Sequence, residues 1–104
     1  MTELLLRNRL ILSEATFGEI AIWRIPRPPR GSRHSYKYRL ALMSDGVCIL
    51  RYANEAGKGD HKHRGDREVP YQFTDMKTLQ ADFWHDVDTW RRKNEDSNTQ
   101  CVVS

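Results

Sequence analysis

"YKYRLALMSDGVCILRYA", residues 36–53, decides the fold. Two runs of alternating apolar and polar side chains flank Asp45-Gly46. An Asp-Gly pair between such runs marks a two-residue β-hairpin, because a type I′ turn needs positive φ at both central positions. Glycine adopts that conformation at no steric cost, and aspartate tolerates it. An uninterrupted register from this turn predicts Leu42 opposite Ile49, Ala41 opposite Leu50 and Arg39 opposite Tyr52.

Working upstream, "RLILSEATFGEIAIWRI" (9–25) alternates at Leu10 and Leu12 and turns β-branched from Ile20 to Ile25. It predicts two strands joined near Phe17-Gly18. The second is apolar on both faces at Ala21, Ile22 and Trp23, which suits a central strand with Trp23 in the core. "PRPPRGSRH" (26–34) then interrupts regular structure, since proline has no backbone donor. Arg24, Arg27, Arg30 and Arg33 recur there at every third position. A polyproline II segment, at three residues per turn, would align them on one edge, facing phosphates or an acidic partner.

Downstream, "EVPYQF" (68–73) reads as a short strand, with Pro70 placing it at a sheet edge. Thr74 or Asp75 caps a helix in which Met76, Leu79, Phe83, Val87 and Trp90 recur at the helical period. Arg91, Arg92 and Lys93 suit the negative end of its dipole. The expected fold is α+β: an antiparallel sheet of about five strands with one C-terminal amphipathic helix packed on a face. The 104 residues bound one small domain, 1–93, followed by a polar tail, 94–104, expected to be disordered.

Composition narrows the function. No apolar run approaches the length of a membrane span and no signal peptide is evident, so a cytoplasmic protein is expected. Cys48 and Cys101 lack any C-x-x-C arrangement and read as reduced thiols. The net charge of +3 is modest, but its distribution is polar. Arg24 to Arg39 carries six cations and no acid, whereas Asp75 to Asp88 carries four aspartates and one lysine. One basic pole suits a polyanion.

Between hairpin and helix lies "NEAGKGDHKHRGD", residues 54–66. It could be a solvated connection between strands. Asp60, His61 and His63 could instead hold a metal with a further ligand such as His34 or His85, although the neighbouring Lys62 and Arg64 oppose a cation. A third reading needs no metal or other cofactor. On an extended backbone His61 and His63 share one face and can act as acid and base, while Lys58 and Arg64 hold a phosphate.

The stretch "ILRYANEAGKGDHKHRGDREVPYQF" (49–73) followed by "LQADFWHDV" (79–87) resembles the TumE family of bacterial toxin–antitoxin systems. The family pattern of R-Y-D-N, K-G-D-H-x-H, P-Y-x-F and L-x-x-D-F is met at Arg51, Tyr52, Asn54, Lys58 to His61, His63, Pro70, Tyr71, Phe73, Leu79, Asp82 and Phe83. Ala53 stands where the family tends to carry an aspartate. The resemblance implies a growth-inhibiting toxin whose partner is an antitoxin with a DNA-binding domain, in a heteromeric complex, with self-association left open.

Together these features lead to a metal-independent ribonuclease acting on RNA. His61 and His63 would be acid and base, with Asp60 orienting an imidazole. Lys58 and Arg64 would bind phosphate, Arg51, Tyr52 and Tyr71 would contact substrate, and Arg27, Arg30 and Arg33 would meet antitoxin or RNA. The alternative is a non-catalytic module that arrests growth by sequestering a nucleic acid or protein.

Overall fold

The computed structural model describes residues 2–27, 34–55 and 59–103, with side chains for all of these except Glu55 and residues 94–103. The chain forms two compact units, Met1–Phe73 and Thr74–Ser104.

The first unit is a six-stranded antiparallel meander: β1 (Glu3–Ile11), β2 (Thr16–Arg24), β3 (Tyr36–Ser44), β4 (Val47–Glu55), β5 (Gly59–Arg64) and β6 (Arg67–Pro70), in that spatial order. The sixth strand comes from the stretch read as a connection. Residues 59–64 pair with β4 on one side and β6 on the other. β6 is shorter than expected. It ends at Pro70, on the sheet edge where a missing donor is tolerated.

The hairpin around Asp45-Gly46 forms with φ of 53° and 76° at these residues, as a type I′ turn requires. Ser44 faces Val47 and Met43 faces Cys48, but Leu42 then faces Leu50. One extra residue, Ile49, bulges from β4, and every later pair shifts by one. Arg39 therefore meets Ala53, and Tyr52 meets Leu40. Side chains alternate with period two, so this single residue exchanges the faces of Arg51 and Tyr52.

The β1–β2 junction also differs from expectation. Leu12 and Ser13 N–H groups both donate to the Thr16 carbonyl, closing the turn there, and Gly18 lies inside β2 opposite Leu10 and Leu42. Thr16 Oγ1 and Ser44 Oγ lie 2.8 Å apart and satisfy each other at this buried corner.

One face of the sheet carries Ile20, Ile22, Tyr38, Leu40, Leu42, Leu50 and Tyr52, each at most 4% exposed. Burying each aliphatic side chain contributes ~1.5–3 kcal/mol. The opposite face, called the open face below, carries Arg7, Arg9, Glu19, Trp23, Lys37 and Arg39. Trp23 is thus half-buried beside arginines and not a core residue, because β2 is buried on one face only.

In the second unit, Asp75 caps helix α1 (Met76–Val103): its Oδ1 accepts the Thr78 N–H at 2.7 Å. Leu79, Phe83 and Val87 form the buried stripe the period predicts. Arg91 to Lys93 lie within the helix and not at its end. Arg92 spans one turn to Asp88 at 3.0 Å, a solvent-exposed pair that adds little.

Candidate functional site

β5 presents its side chains alternately. Asp60, Lys62 and Arg64 project to the face of Tyr52 and Leu50, while His61 and His63 project to the open face. His61 lies across from Ala53 and His63 across from Arg51. On the other side, His61 faces Pro70 and His63 faces Glu68. The short Gly65-Asp66 turn, with Gly65 at φ 65°, fixes that register. Gly65 N–H also donates to the carbonyl of the bulged Ile49 at 3.0 Å.

The result is a cluster of two imidazoles, one carboxylate and one guanidinium. Glu68 Oε1 lies 3.5 Å from His61 Nε2 and 3.1 Å from His63 Nε2. The separations are those of ion pairs, yet neither nitrogen meets hydrogen-bond geometry. Among the described residues both are buried atoms without a hydrogen-bond partner, as is Arg51 Nε. Burying a polar nitrogen unmatched costs about 1–3 kcal/mol, so three together on one face mark a place kept for something other than stability.

His61 has a defined tautomer. Its Nδ1 is 3.1 Å from the Gly59 carbonyl oxygen, which it can meet only as a donor. In the neutral ring the Nε2 lone pair therefore points toward Glu68 and His63. The His61 side chain is 5% exposed, His63 28% and Glu68 36%, so the cluster is closed on the His61 side and open on the other.

Asp60 sits in a different environment. Its Oδ2 accepts from Tyr38 OH at 2.8 Å and lies 2.6 Å from His34 Nε2. His34 Nδ1 accepts the Tyr36 N–H at 3.2 Å, so Nε2 is the protonated nitrogen that donates to Asp60. The His34 ring stacks on Phe73 at 3.9 Å. Asn54 joins the same corner, accepting from Tyr38 N–H at 3.0 Å and donating to the Tyr36 carbonyl at 2.6 Å. Burial, and secondarily the Asp60 carboxylate, push the Tyr38 phenol far above its ordinary pKa. The imidazole that Asp60 orients is thus His34.

The expected site residues accordingly divide. His61, His63 and Arg51 come together on the open face. Asp60, Arg64 and Tyr52 lie on the other face, where Tyr52 packs edge-on against Tyr71 at 4.9 Å. Arg27 is exposed at the end of the described segment after β2. Lys58, Arg30 and Arg33 lie outside the described residues. Glu68 is the residue that sequence reasoning missed. A β5–β6 hairpin at Gly65-Asp66 would have placed it opposite His63.

The open face continues toward β1 as a concavity of about 440 Å³ lined by Arg7, Arg9, Glu19, Trp23 and Arg39. The Arg9 guanidinium lies over the Phe17 ring at 4.1 Å, which holds it against the sheet. Among the described residues, no helix is long and apolar enough to cross a membrane.

Comparison with curated proteins finds no match. Comparison with solved structures finds none either. The profile of the family described as Toxin TumE matches residues 2–91. That span takes in all six strands and most of the helix whose side chains are described, well beyond the motif region alone. The chain belongs to the TumE toxin family.

Proposed function

We propose that this toxin is a metal-independent ribonuclease whose reaction takes place on the open face of β4–β6. The observation that carries this reading is the convergence of His61 Nε2, His63 Nε2 and Glu68 Oε1 beside Arg51. RNA can cleave through its own 2′-hydroxyl. One imidazole accepts the hydroxyl proton, the 2′-oxygen bonds to phosphorus, the P–O5′ bond breaks, and the other imidazole returns a proton to the leaving oxygen. A cyclic phosphate and a free 5′-hydroxyl result. Arg51 neutralises the phosphate as charge builds on it, and Glu68 holds the His63 ring. Arg7, Arg9, Lys37 and Arg39, on the same face, attract the flanking backbone.

The experiment is incubation of purified protein with total RNA and with a defined oligonucleotide in the presence of chelator. Fragments ending in cyclic phosphate, absent with His63→Ala and Glu68→Gln, are expected. Intact RNA under all conditions would sink the reading.

A second reading is supported by Ala53, which occupies the family's aspartate position directly across from His61. If that carboxylate is indispensable, this chain arrests growth by binding alone. Salt-dependent retention of RNA without fragments is its signature.

As a member of a toxin family the protein works with an antitoxin. We propose that the antitoxin carries a DNA-binding domain and an acidic segment that meets Arg27, Arg30, Arg33 or Lys58 in the cytoplasm, and orders on binding.

A further inference from the structure

The cluster on β5 and β6 has a second chemical capacity. We propose that His61 Nε2, His63 Nε2 and a carboxylate oxygen of Glu68 form a three-ligand site for zinc or a similar borderline transition ion, and that an ion held there silences the toxin.

The spacing fits. Ligand atoms bound tetrahedrally at 2.0–2.2 Å from zinc lie about 3.3–3.6 Å apart. Glu68 Oε1 is 3.5 Å from one nitrogen and 3.1 Å from the other, and the three ligand atoms all lie within 4.8 Å of one another. The donors are two imidazoles and a carboxylate, which favour zinc over the all-oxygen preference of magnesium or calcium. Both nitrogens are buried with no hydrogen-bond partner among the described residues, and the His61 side chain is 95% buried with its lone pair turned into the cluster.

The outer shell is arranged as well. Donation from His61 Nδ1 to the Gly59 carbonyl fixes the tautomer that a ligand needs and orients the ring. Two ligands come from alternate positions of one strand and the third from its hairpin partner, so their separation is set by the sheet and not by a loop. The open side, where His63 and Glu68 are partly exposed, leaves a fourth position for water or an anion. Arg51, across from His63, opposes the ion. Its charge favours an anionic fourth ligand.

The silencing follows from lone-pair arithmetic, and it rests on the acid–base reading given above. Each Nε2 has one lone pair. A bound ion takes both, so neither ring can accept or return a proton until the ion leaves.

The test uses the untagged full-length protein, stripped with chelator. Titration with Co2+, read by its tetrahedral absorption bands, and competition with Zn2+ should give one ion per chain. His63→Ala and Glu68→Gln should weaken binding at least about 100-fold, while His85→Ala, on the helix, should leave it intact. Wild type binding no more tightly than His63→Ala and Glu68→Gln would overturn the site. In a parallel cleavage assay one equivalent of Zn2+ should abolish activity and excess chelator restore it. Cleavage that requires Zn2+ would overturn the silencing and the metal-free reaction together. If no RNA is cut under any condition, the proposed reaction fails while the titration still decides the site.

Discussion

Two histidine clusters sit on opposite faces of β5, one residue apart in sequence. Around Asp60, His34 and Tyr38 both meet the same carboxylate oxygen, Asn54 bridges two backbone groups, and Phe73 covers the imidazole. Around Glu68, three buried nitrogens of Arg51, His61 and His63 find no hydrogen-bond partner among the described residues. The first arrangement recovers in hydrogen bonds what burial costs, and ties the start of β3 to the start of β5. The second keeps its donors and acceptors unspent. Satisfied buried polar groups hold a fold together, whereas unsatisfied ones persist where a ligand or a reaction supplies the missing partner.

The difference can be broken by mutation. The largest expected effect is on activity: His63→Ala should lower RNA cleavage on the order of 10²–10⁴-fold while shifting the denaturation midpoint little, since that ring is partly exposed. Unchanged cleavage would remove the acid–base pair. Asp60→Ala should do the reverse. It removes the carboxylate that meets the Tyr38 hydroxyl and the His34 Nε2–H in a buried corner and should cost about 3 kcal/mol of stability, read by urea denaturation. A change below the error of that measurement would show that the corner is not structural.

Ala53→Asp sharpens the same contrast, because cross-strand neighbours lie about 4.5–5.5 Å apart. The new carboxylate would stand beside His61 and, if it completes the reaction site, raise cleavage roughly tenfold, the rate equivalent of about 1.4 kcal/mol. Lower cleavage together with lost stability would show instead that this position tolerates no charge.

The smallest effect belongs to a residue outside both clusters. Thr78 N–H and hydroxyl, in that order, hold the Asp75 carboxyl below its usual pKa. A carboxylate with a depressed folded pKa contributes stability above its unfolded value and loses it as pH falls through the folded one. Asp75→Asn should therefore flatten the acid side of the stability profile slightly and leave cleavage unchanged. Identical profiles for the two proteins would discount the cap.

Much of the sheet was legible in the chain. Asp45-Gly46 announced its turn, the β-branched run from Ile20 placed an internal strand, and Pro70 marked an edge. Each of these signals is local, resting on one residue's conformational preference or on a short alternation. The sixth strand was hidden because residues 59–64 carry glycine, charges and histidines in place of the apolar alternation by which strands are recognised. That composition reflects what the strand presents on its two faces, and backbone pairing with β4 and β6 overrides its weak propensity.

The sequence by itself determined that His61 and His63 share a face, since alternate residues of any extended chain do so. It also confined the helix cap to Thr74 or Asp75, and determined the stripe of Leu79, Phe83 and Val87 and membership of a toxin family. Tertiary structure alone decided the company those histidines keep. The β4–β5 register set Arg51 across from His63, the Ile49 bulge put both on the open face and Tyr52 opposite Leu40, and the Gly65-Asp66 turn brought Glu68 alongside. Asp60 takes the other face by the same alternation, and the tertiary structure supplied His34 and Tyr38 as its partners. The physical reason is the two-residue period of a strand: one extra residue reverses every side chain beyond it, and register is set by pairing between strands and not within one.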